Sequence, residues 1–119
     1  MKNCVFCKIV TGEIPSQTVY ENENFLAFLD INPLSPGHTL IIPKKHYRWV
    51  WDIPNAGDFF EVAKKIALAE KKAFNTDFVL SKIVGEDVPH AHMWVYPDNK
   101  VSGDKKDFAL NAEKIKKFL

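Results

Sequence analysis

Val88-Pro89-His90-Ala91-His92-Met93-Trp94-Val95-Tyr96-Pro97 sets two histidines two residues apart in an apolar run that closes at a proline. Read as a β-strand from His90 to Tyr96, the run sends alternate side chains to opposite faces. His90, His92 and Trp94 then share one face, and Ala91, Met93 and Val95 enter a core on the other. Imidazoles side by side on a strand suit a metal site or nucleophilic chemistry on phosphorus. The pair also reads as two half-buried histidines satisfied by their neighbours, so the rest of the chain has to decide.

Working outward, Gly85-Glu86-Asp87 reads as a turn, and Phe78-Val79-Leu80-Ser81 as a strand before it. Farther upstream comes the clearest helix. Asp58 with Glu61 three residues on gives a helix start signal. Phe59, Val62, Ala63, Ile66, Ala67 and Phe74 recur at helical spacing. Lys64, Lys65, Lys71 and Lys72 fall mostly on the opposite, solvated face. His38-Thr39-Leu40-Ile41-Ile42 is a β-branched strand stopped by Pro43, after a loop over Asn32-Pro33-Leu34-Ser35-Pro36-Gly37. Phe25-Leu26-Ala27-Phe28-Leu29 is another strand, Val19-Tyr20-Glu21 a weaker one, and Cys4 to Val10 a short helix closed at Gly12. Phe108 to Leu119 carries Phe108, Ala112, Ile115 and Leu119 at helical spacing. The order predicts one α+β domain over residues 1–119, an antiparallel sheet with one long helix and short terminal helices.

With 119 residues the chain supports one modest core. A net charge of +1 gives no electrostatic case for nucleic acid or an anionic membrane. No apolar run approaches the ~20 residues of a membrane span, and Met1-Lys2-Asn3-Cys4 opens without a signal-peptide pattern. A cytoplasmic setting is therefore expected. Two cysteines in a reducing compartment read as metal ligands or thiols rather than a disulfide.

Cys4-Val5-Phe6-Cys7 is a Cys-x-x-Cys. A redox pair of that spacing usually follows a strand, and only three residues precede this one. A zinc site would need two further ligands from His38, His46, His90 and His92. Spacing alone does not choose which two.

Four segments occur in an order that resembles the histidine-triad (HIT) family, in its zinc-binding bacterial-type branch. They are Cys4-Val5-Phe6-Cys7-Lys8-Ile9-Val10 with Gly12-Glu13-Ile14-Pro15; Ala27-Phe28-Leu29-Asp30-Ile31; Pro36-Gly37-His38-Thr39-Leu40-Ile41-Ile42-Pro43-Lys44-Lys45-His46; and Val88-Pro89-His90-Ala91-His92. The resemblance covers roughly residues 4–97. It implies a HIT-like fold, a structural zinc on Cys4, Cys7, His46 and His90, and a nucleophile at His92. That imidazole would attack the α-phosphorus of a nucleotide to give a nucleotidyl-histidine, which water hydrolyses. Phe6, Ile9, Phe28 and Ile31 match positions around the base, Asp30 matches the carboxylate on the ribose, and His38 matches a histidine close to the triad. Asp87 joins the nucleotide-facing set. The implied partners are a purine nucleotide or nucleoside phosphoramidate and a second copy in a homodimer. The aromatic set Trp49, Trp51, Phe59 and Phe60 agrees, being more than a small core absorbs.

Two features depart from the family. Trp94 stands at the third triad position, where indole can donate a hydrogen bond but cannot act as a general acid. The stretch Leu80 to Asp87 replaces the usual asparagine and Gly-Gln turn with a shorter one carrying Glu86 and Asp87. Two readings follow: a HIT-type hydrolase or transferase, or a degenerate HIT domain that binds zinc and a nucleotide without significant turnover.

Overall fold

The computed structural model describes residues 3–119; Met1 and Lys2, part of the N-terminal reading above, lie outside the described residues. The elements run α1 (Val5–Thr11), β1 (Thr18–Glu21), β2 (Phe25–Leu29), β3 (Thr39–Pro43), a helical turn over Val50–Asp52, α2 (Ala56–Ala73), β4 (Val79–Val84), β5 (His92–Pro97) and α3 (Phe108–Lys116). The strands form one sheet in the order β1-β2-β3-β5-β4, with every pairing antiparallel. This is the α+β architecture expected.

Every residue of β2 and β3 is buried. Strands covered on both faces read as continuous apolar runs, which is why Phe25–Leu29 and Leu40–Ile42 carry no polar alternation. One face, with Val19, Phe25, Ala27, Leu29, Ile41, Met93 and Val95, packs against α2 through Phe59, Val62, Ala63, Ile66 and Ala69. Phe25 and Phe59 meet edge to face at 5.5 Å. The opposite face, with Leu26, Phe28, Leu40, Ile42 and Trp94, is covered by Cys4 and Phe6 at the start of the chain. Truncating the fully buried Phe59 to alanine would cost about 3–5 kcal/mol.

Several local expectations change. β5 begins at His92, so His90 and Ala91 lie in the approach to the strand, where the Ala91 amide donates to the Tyr47 carbonyl. α2 starts at Ala56, and Asp58 sits in its first turn rather than capping it. A carboxylate there still favours the positive helix end. β4 runs on to Val84 because it pairs with β5 along six residues. α3 stops at Lys116, and Leu119 lies beyond it, 37 % exposed. Of the four aromatic residues offered as excess surface, Phe59 is core, whereas Trp49, Trp51 and Phe60 are exposed.

Gly37 anchors the β2–β3 loop. Its φ is +85°, and a Cβ there would collide with the Phe74 ring at the end of α2. The loop can lie against the helix only because this position has no side chain.

Candidate functional site

α1 is too short to persist alone. It is fixed at its N-terminus, where the Cys4 Sγ caps the helix by accepting from the Cys7 amide at 3.3 Å. That cap aims both thiols at the end of the sheet. Cys4 Sγ lies 3.3 Å from His90 Nδ1; Cys7 Sγ lies 3.3 Å from His46 Nδ1 and 3.5 Å from His90 Nδ1. All four donor atoms fall within 4.8 Å of one another. A tetrahedral zinc with Zn–S of ~2.3 Å and Zn–N of ~2.1 Å needs sulfur-to-nitrogen edges of about 3.6 Å, close to what these side chains provide.

The tautomer also fits. His90 Nε2 donates to the Pro43 carbonyl at 2.9 Å, which leaves the Nδ1 lone pair facing the thiols. Burial lowers the His90 pKa and keeps the ring neutral, the form that ligates metal. Burial, with the neighbouring Cys4, pushes the Cys7 thiol up to about 11. A cation in the cluster would displace that proton. Of the four histidines that spacing left open, geometry selects His46 and His90.

Beside α1 a cavity of about 550 Å³ opens. Phe6, Ile9, Phe28, Asp30, Ile31 and Asp87, the six residues named as nucleotide-facing, all line it. The wall also includes Gln17, Val88 and Phe108. Phe108, one of the apolar residues at helical spacing in α3, reaches the wall because α3 packs back towards β1, which no local pattern encodes. Asp30 accepts from the Asn32 amide through Oδ1 at 2.9 Å, a turn that holds its carboxylate at the cavity mouth.

His92 is fully buried and does not itself line the cavity, but touches two residues that do, Phe6 and Asp87. Its Nδ1 donates to the His90 carbonyl at 2.7 Å, so Nε2 carries the reactive lone pair. The Phe6 ring stands edge-on to His92 at 5.1 Å. Asp87 Oδ1 stands 3.2 Å from His92 Nε2, without hydrogen-bond alignment. His38 Nδ1 accepts from the Leu34 amide at 3.1 Å, which leaves its Nε2–H facing Asp30 Oδ2 at 3.6 Å. Burial lowers the His38 pKa, and the Asp30 charge opposes that shift. Trp94 packs against His38 with ring centres 5.0 Å apart, and its buried Nε1 has no partner among the described residues. His92, expected as the nucleophile, and His38 and Trp94, expected beside it, are thus brought to one sheet face, His38 and Trp94 in contact and His92 two residues from Trp94 along β5.

Sequence reading missed Glu70, which is fully buried on the α2 face of the sheet. It follows Ile66 by four residues and so continues the stripe Phe59, Val62, Ile66; only its charge disguised it. Its Oε2 lies 2.9 Å from the Thr39 hydroxyl, which is also 2.8 Å from the Gly37 carbonyl.

Comparison with known proteins adds to this geometry. Residues 11–101 match the model of the HIT domain. The chain is 39% identical over 111 residues to an uncharacterised HIT-like protein of Methanocaldococcus jannaschii, covering 88% of this chain and 86% of the relative. It is 41% identical over 97 residues to the adenosine 5'-monophosphoramidase of Saccharomyces cerevisiae, covering 79% of this chain and 61% of that enzyme. A crystal structure of a Hit-like protein from Bartonella henselae superposes with a TM-score of 0.89 at 35% identity, covering 100% of this chain and 98% of the other. A zinc-bound histidine triad family protein from Mycobacterium smegmatis superposes with a TM-score of 0.83 at 32% identity, covering 98% and 92%. The four-ligand cluster at the end of the sheet is accordingly a structural zinc site. With its domain match, its fold and that metal centre in agreement, the chain belongs to the HIT domain family.

Proposed function

We propose that this protein is a nucleotide hydrolase or nucleotidyl transferase that acts at the α-phosphate through His92. One observation carries the reading. The His92 Nδ1 is committed to the His90 carbonyl, so the Nε2 lone pair faces Asp87, a residue of the cavity wall. A base and ribose held by Phe6, Ile9, Phe28, Ile31 and Asp30 would bring an α-phosphate to that nitrogen. The Nε2 attacks phosphorus, the leaving group departs with its bonding pair, and water then releases the nucleoside monophosphate. Zinc held by Cys4, Cys7, His46 and His90 would anchor the approach to β5 and so preorganise His92. The relative named as an adenosine 5'-monophosphoramidase supports a purine nucleotide or nucleoside phosphoramidate as substrate. AMP release from adenosine phosphoramidate and from dinucleoside polyphosphates, followed against His92→Ala, tests the assignment; equal release by the variant would contradict it.

A second reading is a nucleotide-binding protein with little turnover. Trp94 favours it, because the indole packed on His38 cannot transfer a proton. Nucleotide that binds at the cavity and is recovered intact would support that reading.

The working unit is a homodimer in the cytoplasm. β4 is an edge strand, and with the adjoining face of α2 it exposes Phe60, Phe78 and Leu80. Such an edge is normally covered. Light scattering that reports a monomer at micromolar concentration would contradict the dimer. No helix among the described residues is long and apolar enough to cross a membrane.

A further inference from the structure

Among the described residues, those lining the cavity include two carboxylates, Asp30 and Asp87, and no lysine or arginine. A nucleotide phosphate arriving at His92 therefore needs its counter-charge from elsewhere. β4 offers one. Lys82 lies directly opposite Trp94 in the β4–β5 pairing, and Val84 lies opposite His92. Cross-strand partners share a sheet face, so Lys82 stands on the face that carries His92, diagonal to it. Diagonal neighbours are ~7–8 Å apart, within reach of a long side chain. Lys82 Nζ sits over the Trp94 ring, 5.3 Å from its centre. This cation–π contact extends the ammonium across the sheet face. Lys82 has no carboxylate partner within ion-pair distance among the described residues. Trp94 Nε1, buried and unpartnered, is a second unspent donor on the same face.

This pair has a charge but no transferable proton. Indole is not an acid at neutral pH, and the lysine ammonium is a poor one. The consequence falls on the leaving group. An amine or alcohol needs a proton as its bond to phosphorus breaks. A phosphate, sulfate or carboxylate leaves as a stable anion and needs only a counter-charge. We infer that Lys82 is a specificity-determining residue that directs the site towards nucleotides whose α-phosphate is joined by an anhydride bond to an anionic group. The inference rests on His92 being the nucleophile.

The step balances without an added acid. The His92 Nε2 pair forms the N–P bond, and the P–O anhydride bond breaks with its pair leaving on the bridging oxygen. The anion departs past Lys82. Water then attacks phosphorus, the P–N pair returns to His92, and the water proton passes to solvent.

The test compares kcat/KM on adenosine 5'-phosphosulfate, whose leaving group is sulfate, with that on the tryptamine phosphoramidate of AMP. The parent, Lys82→Ala and Lys82→Arg are each measured. Lys82 is exposed, and thermal melts check that all three proteins fold alike. The parent is expected to favour the phosphosulfate. Lys82→Ala should lower that activity by about 10–100-fold, the range for a hydrogen bond to a charged group, and change the phosphoramidate rate less than about threefold. Lys82→Arg should recover most of the loss. Equal losses on both substrates, or no loss, would overturn the role of Lys82. So would a parent that prefers the phosphoramidate. If neither substrate leaves a nucleotide on His92 of the parent, the reading of His92 fails and this inference with it.

Discussion

Asp87 Oδ1 lies 3.2 Å from the Nε2 of His92, and Asp87 is also part of the cavity wall. The carboxylate stands where a phosphate would have to approach the only His92 nitrogen with an available lone pair. Asp87 is 56 % exposed and belongs to the short connection over residues 85–91, so it can swing aside at modest cost.

Removing this carboxylate should help. With His92 neutral, the Asp87 carboxylate repels both the Nε2 lone pair and an incoming phosphate, and moving a half-exposed charge aside is worth ~0–1 kcal/mol, so Asp87→Asn should label His92 up to about fivefold faster with a nucleoside phosphorimidazolide. Stopped-time mass spectrometry checks this. A slower variant would mean that Asp87 assists rather than obstructs.

Zinc should set the stability of the fold. The four ligands tie α1, the β3–α2 connection and the approach to β5 into one centre. Metal analysis should find about one zinc per chain, and Cys4→Ser or His46→Ala should lower Tm by many degrees, since structural zinc contributes folding energy directly. A metal-free protein with an unchanged melt would contradict the assignment.

Glu70 predicts a pH effect of definite sign. Burial pushes its pKa well above the usual 4.5, with the Thr39 hydrogen bond opposing that shift. One hydroxyl proton cannot serve both Gly37 and Glu70, so a protonated Glu70 can donate one of Thr39's two bonds. The folded chain thus holds a proton that the unfolded chain releases near 4.5. This stability is full below that pH and falls as pH rises towards the raised pKa. Glu70→Gln removes the charge without changing the shape. Its Tm should match the parent near the acid end and exceed it at neutral pH, by about 4 °C for each kcal/mol recovered. A parent whose melt is flat from acid to neutral pH would contradict this.

Restoring a proton donor should broaden the chemistry. Trp94→His with Glu86→Gln should raise the rate on amine leaving groups by at least tenfold, against the ~10²–10⁴-fold typical of a general acid. Steady-state rates on the tryptamine phosphoramidate of AMP check it. An unchanged rate would mean that the lost histidine is not what limits turnover.

Legibility followed the range of the interactions involved. Leu40, Ile41, Ile42, Met93 and Val95 announce buried strands because their patterns are local, and the zinc cysteines announce themselves by spacing. Spacing alone did not choose which histidines complete the zinc site, because His46 and His90 meet only after β3 and β5 pair; the resemblance to the family supplied both, as the cluster bears out. The start of β5 was misplaced because His90 belongs to the metal centre rather than to the ladder. Glu70 escaped because a carboxylate on an apolar stripe is normally solvated. Asp87 could be named as nucleotide-facing, but its contact with His92 depends on how a bent connection closes.

The most direct measurement is intact-protein and peptide mass spectrometry after brief reaction with an adenosine 5'-phosphorimidazolide. His92 as the nucleophile predicts one added adenylyl group, mapped to the peptide containing His92, decaying as AMP accumulates and absent from His92→Ala. No adduct, or an adduct of equal yield in His92→Ala, would contradict it.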